Sequence, residues 1–178
     1  MRNVSAVRYC SLSFALCLIM WTNTAVIAQV STENDPNPFV LAQLVVEPGK
    51  MVQGEIIVNS VNGDTSTFIP VTVLHGSQEG PVLSLIAGVH GSEYSPILSM
   101  QKLPLLVDPS NLSGTVIIVH IANMPAFTGR TIYFGPNDLK NLNRSFPGNP
   151  SGTVTERIAF ELTTHVIKPA NYVIDIHF

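Results

Sequence analysis

The 178-residue sequence predicts an α/β fold, a mixed and largely parallel sheet flanked by helices. Three observations predict it. Residues 82–87 and 116–119 are nearly continuous apolar runs, as expected of central strands covered on both faces. A helical segment separates them, giving a strand–helix–strand unit of ~35 residues. The pattern recurs where a second helical segment, residues 154–167, leads into a strand at 172–177.

Taken in order, residues 29–38, with Asn34, Asp35, Pro36, Asn37 and Pro38, read as a flexible polar N-terminal arm. Apolar runs of strand length follow at 39–46, 55–58, 68–74 and 81–87, each bounded by turn residues. Pro70 has no N–H to give, which suggests an edge position or a strand start for 68–74. Residues 95–103 form the first helix, with Ser95 as cap and Pro96 at the first helical position, where its missing N–H costs nothing. Pro104 ends or kinks it. The second helix has Thr153 and Thr155 as cap candidates and Ile158, Phe160, Leu162 and Val166 as apolar members; Glu156 and Glu161 are expected to face solvent. Residues 123–152 differ, with four prolines and four glycines among 30 residues. A loop that long in a compact domain is usually functional.

Composition bounds the rest. The length suits one domain, and 46% hydrophobic residues against 12% charged excludes a disordered chain. A net charge of -3 without any basic run argues against a nucleic-acid-binding surface. Residues 1–28 carry Arg2 and Arg8 and no acid, then an apolar run at 11–21, then small residues up to Ala28. This is the pattern of a secretory signal peptide cleaved after Ala28, which makes the product secreted or periplasmic. About 11 apolar residues fall short of the ~20 that cross a bilayer, so no stable membrane anchor is expected after leader removal. Cys10 and Cys17 both lie in the leader. Residues 29–178 therefore have no cysteine, which excludes a cysteine nucleophile and thiolate-bound zinc. Without Arg2 and Arg8, 7 basic residues face 12 acidic ones, a net -5.

Ligands of open α/β sheets bind at the carboxyl ends of strands. His90 and Glu93 sit there, in the run Gly88, Val89, His90, Gly91, Ser92, Glu93, Tyr94, where the glycines let an imidazole and a carboxylate converge. His177 ends the last strand, and period-two geometry puts Asp175 on its face. Two imidazoles and one carboxylate make a three-ligand set with an open position, and Asp175 could orient a ligand or pair with an arginine. In the 123–152 loop, Asn143 and Arg144 offer amide and guanidinium donors suited to a carboxylate. His75, His120 and His165 fit no motif and are read as structural.

The elements at residues 88–94, 141–148 and 173–177, in that order and at those separations, resemble the succinylglutamate desuccinylase/aspartoacylase family of the zinc carboxypeptidase superfamily. The resemblance runs from about Phe68 to the end. It implies a zinc carboxypeptidase-like fold, one Zn²⁺ on His90, Glu93 and His177, and a substrate carboxylate gripped by Asn143 and Arg144. Arg130 resembles the family arginine that polarises the scissile carbonyl. The implied function is zinc-dependent hydrolysis of an amide bond adjacent to a carboxylate, in a small peptide or an acylated amino acid. The alternative is a non-catalytic metal- or ligand-binding fragment of the same fold.

One departure bears on this. The sequence ends one residue after His177, whereas the family pattern continues with further strands and a general-base glutamate. No residue here takes that role. The chain is therefore expected to be truncated after its third metal ligand and to be inactive or nearly so, residues 39–178 being the N-terminal part of the catalytic domain.

Overall fold

The computed structural model describes residues 36–178. Residues 1–28, read above as a signal peptide, and most of the polar arm lie outside the described residues. A hairpin of β1 (Phe39–Leu41) and β2 (Leu44–Val46) stands apart from a five-stranded sheet. That sheet contains β3 (Lys50–Val58), β4 (Thr67–His75), β5 (Gln78–Ala87), β6 (Ser113–Val119) and β7 (Tyr172–Ile176), in the spatial order β3-β4-β6-β5-β7. The helices are α1 (Tyr94–Lys102), α2 (Met124–Thr128) and α3 (Val154–Glu161), the last continuing as a π-helical turn over Leu162–Ile167.

The sheet is mixed, as expected. β3 and β4 pair antiparallel, as do β4 and β6, while β6, β5 and β7 form a parallel half. Alternation along the central strands feeds two cores. Ile86, Ile117 and Val119 face a cluster with Val71, Ile158 and Leu162, whereas Leu85, Ala87 and Ile118 face a second with Ile97 and Met100. The hairpin and α3 thus cover one face, and α1 covers the other.

Several expectations need correction. The apolar run 39–46 is two strands, because Ala42 adopts a left-handed φ of 50° and turns the chain back. Pro70 lies on an interior strand, not an edge. Its carbonyl accepts from His120 N–H (3.0 Å), one step beyond the last paired residue of β6, so the donor it lacks falls where the ladder has ended. Ser95 lies inside the first turn of α1, and the N-cap position belongs to Glu93. Glu156 does not simply face solvent: it accepts from Thr153 N–H (2.9 Å) as a capping-box acid and pairs with Lys140 Nζ (2.7 Å). Glu161 pairs with His165 (3.2 Å).

Arg157, which no motif singled out, fastens α3 to the β3–β4 connection. Its buried guanidinium donates to both Asp64 oxygens (2.8 and 3.0 Å) and to the carbonyls of Gly152 (2.6 Å) and Thr65 (3.1 Å). The Val61 N–H, followed by the Arg157 guanidinium, holds the Asp64 carboxyl below its ordinary value. A lowered carboxylate contributes stability above its unfolded value and loses it as pH falls through the folded one. Arg157→Met is therefore expected to lower stability by about 2 to 3 kcal/mol in urea unfolding at neutral pH, from the charge-assisted bonds it strips from two carbonyls. Asp64→Asn is expected to flatten the acid-side fall in stability; an unchanged acid limb would exclude that pair as its source.

Candidate metal centre

β5 and β7 run parallel with Ala87 opposite Ile176, so the residues after each strand leave the sheet at one edge. Gly88 takes a left-handed φ of 71° and starts the turn that carries His90 and Glu93. Glu93 makes no side-chain cap for α1. Its carboxylate turns back instead, with Oε1 3.0 Å from His90 Nδ1 and 3.3 Å from His177 Nδ1. One donor atom of each residue lies within 4.8 Å of the other two. The structure thus brings His90, Glu93 and His177 together, as their placement at two strand ends led us to expect.

The cluster could hold a cation. His90 and Glu93 are buried, and 33% of the His177 side chain is exposed. On the outer side His177 Nε2 meets Asp175 Oδ2 at 2.7 Å. Partial burial acts to lower the pKa of His177, but the hydrogen bond and charge of Asp175, with the charge of Glu93, outweigh it and raise it. Glu93 Oε2 is buried without a hydrogen-bond partner among the described residues, an unfavourable state for a carboxylate oxygen. A divalent metal at the two Nδ1 atoms and this carboxylate would take the place of the shared protons and relieve that oxygen. Two imidazoles and a carboxylate suit zinc among the divalent ions.

The remaining candidate residues stand elsewhere in the 123–152 loop. Arg130 is exposed at the turn closing α2, with a left-handed φ of 54°, and forms no ion pair among the described residues. Asn143 and Arg144 lie in a short 3-10 turn, Leu142–Arg144, anchored by the fully buried Leu142 and capped by Asn141 Oδ1 on Asn143 N–H (2.9 Å). Arg144 is exposed, and its guanidinium donates to the Asn143 carbonyl (3.1 Å). No hydrogen bond or ion pair among the described residues joins these three to the His–Glu–His cluster.

The loop is nevertheless fixed. Asp138 accepts from Thr155 N–H (2.9 Å), Thr155 Oγ1 (2.7 Å) and Lys140 N–H (3.2 Å), which ties the 135–141 turn to the start of α3. Partial burial of Asp138 acts to raise its pKa, and these bonds overcome it and lower it. The other histidines have structural partners. His75 bonds Thr115 Oγ1 (2.8 Å) and the Asn37 carbonyl (2.9 Å), and His120 bonds Thr72 Oγ1 (2.7 Å). Sequence reasoning passed over Asp138, Asn123 and Tyr133. Tyr133 had a readable signal, since Ile132, Tyr133 and Phe134 form an apolar run within the 123–152 loop.

Comparison with known proteins identifies the family and the fold. The succinylglutamate desuccinylase/aspartoacylase catalytic-domain family model matches residues 79–178. An N-alpha-acetyl-L-2,4-diaminobutyric acid deacetylase of Halomonas elongata is 43% identical over 113 residues, 63% of this chain and 32% of the deacetylase. Among solved structures, an aspartoacylase family protein from Mesorhizobium loti superposes with a TM-score of 0.69 at 30% identity, covering 82% of this chain and 44% of that one. The product-bound ectoine utilization protein EutE (DoeB) of Ruegeria pomeroyi gives 0.64 at 30% identity, with 82% and 43% coverage. The chain thus spans about a third of the deacetylase and less than half of either structure.

Zinc titrated into the protein is expected to bind at one ion per chain and to raise the melting temperature, by the equivalent of about 2.7 kcal/mol at a hundredfold excess over Kd. His90→Ala and Glu93→Gln should abolish both effects. Asp175→Asn should keep the stoichiometry and weaken affinity about tenfold, as measured by calorimetry.

Proposed function

The chain belongs to the succinylglutamate desuccinylase/aspartoacylase catalytic-domain family, and from that premise we propose that it carries the metal-binding part of a zinc-dependent hydrolase acting on an amide bond adjacent to a carboxylate. The observation that carries the proposal is the convergence of His90, Glu93 and His177 within 4.8 Å at the carboxyl edge of two parallel strands. When bound, zinc supplies Lewis-acid polarisation of a carbonyl and activation of water near neutral pH. His90 and His177 would hold it through Nδ1 and Glu93 through its carboxylate. Asp175 would keep the His177 ring in place through Nε2.

The substrate class follows from the relatives and from the loop. The Halomonas relative is named as a deacetylase of an N-acetylated amino acid, and a small acylated amino acid or peptide with a free carboxylate suits the donors of Asn143 and Arg144. Arg130, three residues before the ring that touches His90, is the arginine we assign to the scissile carbonyl. The basic and apolar pattern of residues 1–28 supports export, secreted or periplasmic, with cleavage after Ala28. Among the described residues no helix is long and apolar enough to cross a membrane.

Proton transfer is where we expect this chain to be weak. Among the described residues the carboxylates at the cluster are Glu93 and Asp175. One is a ligand and the other is bonded to a ligand, so neither is free to take a proton from water and give it to the leaving amine. This engagement favours the second reading, a domain that binds metal and substrate and does little chemistry.

With one zinc bound, turnover of N-acetyl amino acids by this chain is expected to stay near background. Arg144→Ala should weaken the binding of a carboxylate ligand about tenfold, about 1.4 kcal/mol, at unchanged metal content. Robust hydrolysis would overturn the impairment and leave the metal assignment standing; absence of metal binding would overturn both. Sequencing of the exported product is expected to begin at Gln29.

A further inference from the structure

The two histidines of the cluster are held by different means. His177 has a carboxylate at its outer nitrogen, Asp175 Oδ2 on Nε2 at 2.7 Å, the usual device for fixing the ring of a ligating histidine. His90 has no such partner: its Nε2 is buried and makes no hydrogen bond among the described residues. Yet its ring is confined. The Tyr133 ring meets it edge to face, with centroids 5.0 Å apart and planes at 89°, and the His177 ring lies 5.1 Å away.

The backbone around Tyr133 is built to put it there. Gly91, next to His90, donates its N–H to the Ile132 carbonyl at 3.1 Å. The approach is so close that a Cβ on Gly91 would fall 2.4 Å from the Ala126 carbonyl group and 2.6 Å from the Thr131 oxygen. Thr131 N–H in turn bonds the Ala126 carbonyl at 3.0 Å. Asn123, fully buried, closes the circuit: its N–H donates to the Gly88 carbonyl (3.0 Å) and its Oδ1 accepts from Ala126 N–H (3.2 Å). The turn bearing His90 and the segment bearing Tyr133 are therefore one framework. Tyr133 itself is 52% exposed, more than filling a core requires.

We infer that Tyr133 is a positioning residue for the metal centre, its ring, perpendicular to the His90 imidazole, fixing the plane of that imidazole so that Nδ1 stays aimed at Glu93 and His177. It touches His90 and no reacting atom, and it substitutes for the outer hydrogen bond that His177 has and His90 lacks. This rests on reading the His–Glu–His cluster as a metal centre. The contact is one of ring against ring, so the phenol hydroxyl is dispensable and the aromatic ring is not.

The test is zinc affinity of the full chain, measured by competition with a chelating dye, together with the visible absorption of the cobalt(II) form and the melting temperature of the metal-free protein. Tyr133→Ala is expected to bind zinc about tenfold more weakly and to alter the cobalt spectrum, at a metal-free melting temperature close to that of the parent. Tyr133→Phe should restore affinity to within about twofold and return the spectrum. Parental affinity in Tyr133→Ala would overturn the inference, and so would an equal loss in Tyr133→Phe, which would assign the effect to the hydroxyl. Should Tyr133→Ala fail to fold, Tyr133→Leu decides: it must bind at least about threefold more weakly than Tyr133→Phe, or the inference falls. A parent chain that binds no zinc would refute the metal centre itself, and a metal-binding parent with indifferent variants refutes only the role of Tyr133.

Discussion

The parallel register of β5 and β7 is the constraint on which the site depends. Ala87 stands opposite Ile176, so a turn of known length after one strand and a single residue after the other bring three donors to one point. A slip of one residue would displace His177 by about 3.3 Å and turn it to the opposite face of the sheet. The register is held by apolar burial on the β5 side, where Leu85, Ile86 and Ala87 are committed to two different cores. β5 therefore cannot shift without exposing one core or the other. The three candidate ligands inherit their geometry from packing set a few residues earlier in the chain.

Charge at the cluster is arranged around a single oxygen. Two imidazole nitrogens approach Glu93 Oε1, and a second carboxylate stands behind one of them. Glu93 also sits at the N-cap position of α1, where the helix dipole favours its negative charge without a direct capping bond. The helix thus offsets part of the penalty of burying a carboxylate. That explains why an acidic residue occupies a capping position yet turns its side chain away from the helix it begins.

Much of this was legible in the sequence because it is written in local patterns. Continuous apolar runs mark β5 and β6 as central strands, and strand-end positions mark His90, Glu93 and His177. What was not legible depends on contacts distant in the chain. The 39–46 run carries no glycine or proline to signal its turn, and the left-handed Ala42 is imposed by the hairpin packing on the core through Leu41 and Val46. Pro70 on an interior strand is tolerated only because β6 stops one residue short of it, which no feature of 68–74 encodes. Glu156 looked like a surface acid because its partners, Thr153 and Lys140, are recruited from a cap and from a separate loop. The placement of Tyr133 on His90 likewise depends on Gly91 meeting a carbonyl some forty residues later in the chain.

The three candidate ligands are unequally secured, which would couple metal binding to folding. His90 and Glu93 share one buried turn framed by Asn123 and Ala126, whereas His177 follows β7, whose Tyr172, Val173 and Ile174 are 64%, 42% and 50% exposed. Among the described residues β7 pairs with β5. A cation bound to both sides would cross-link β7 to the turn after β5, so its binding free energy would appear as local stability of that strand. By the same linkage, any loosening of β7 is felt as lost affinity. β7 and the candidate ligand that follows it would thereby stabilise one another.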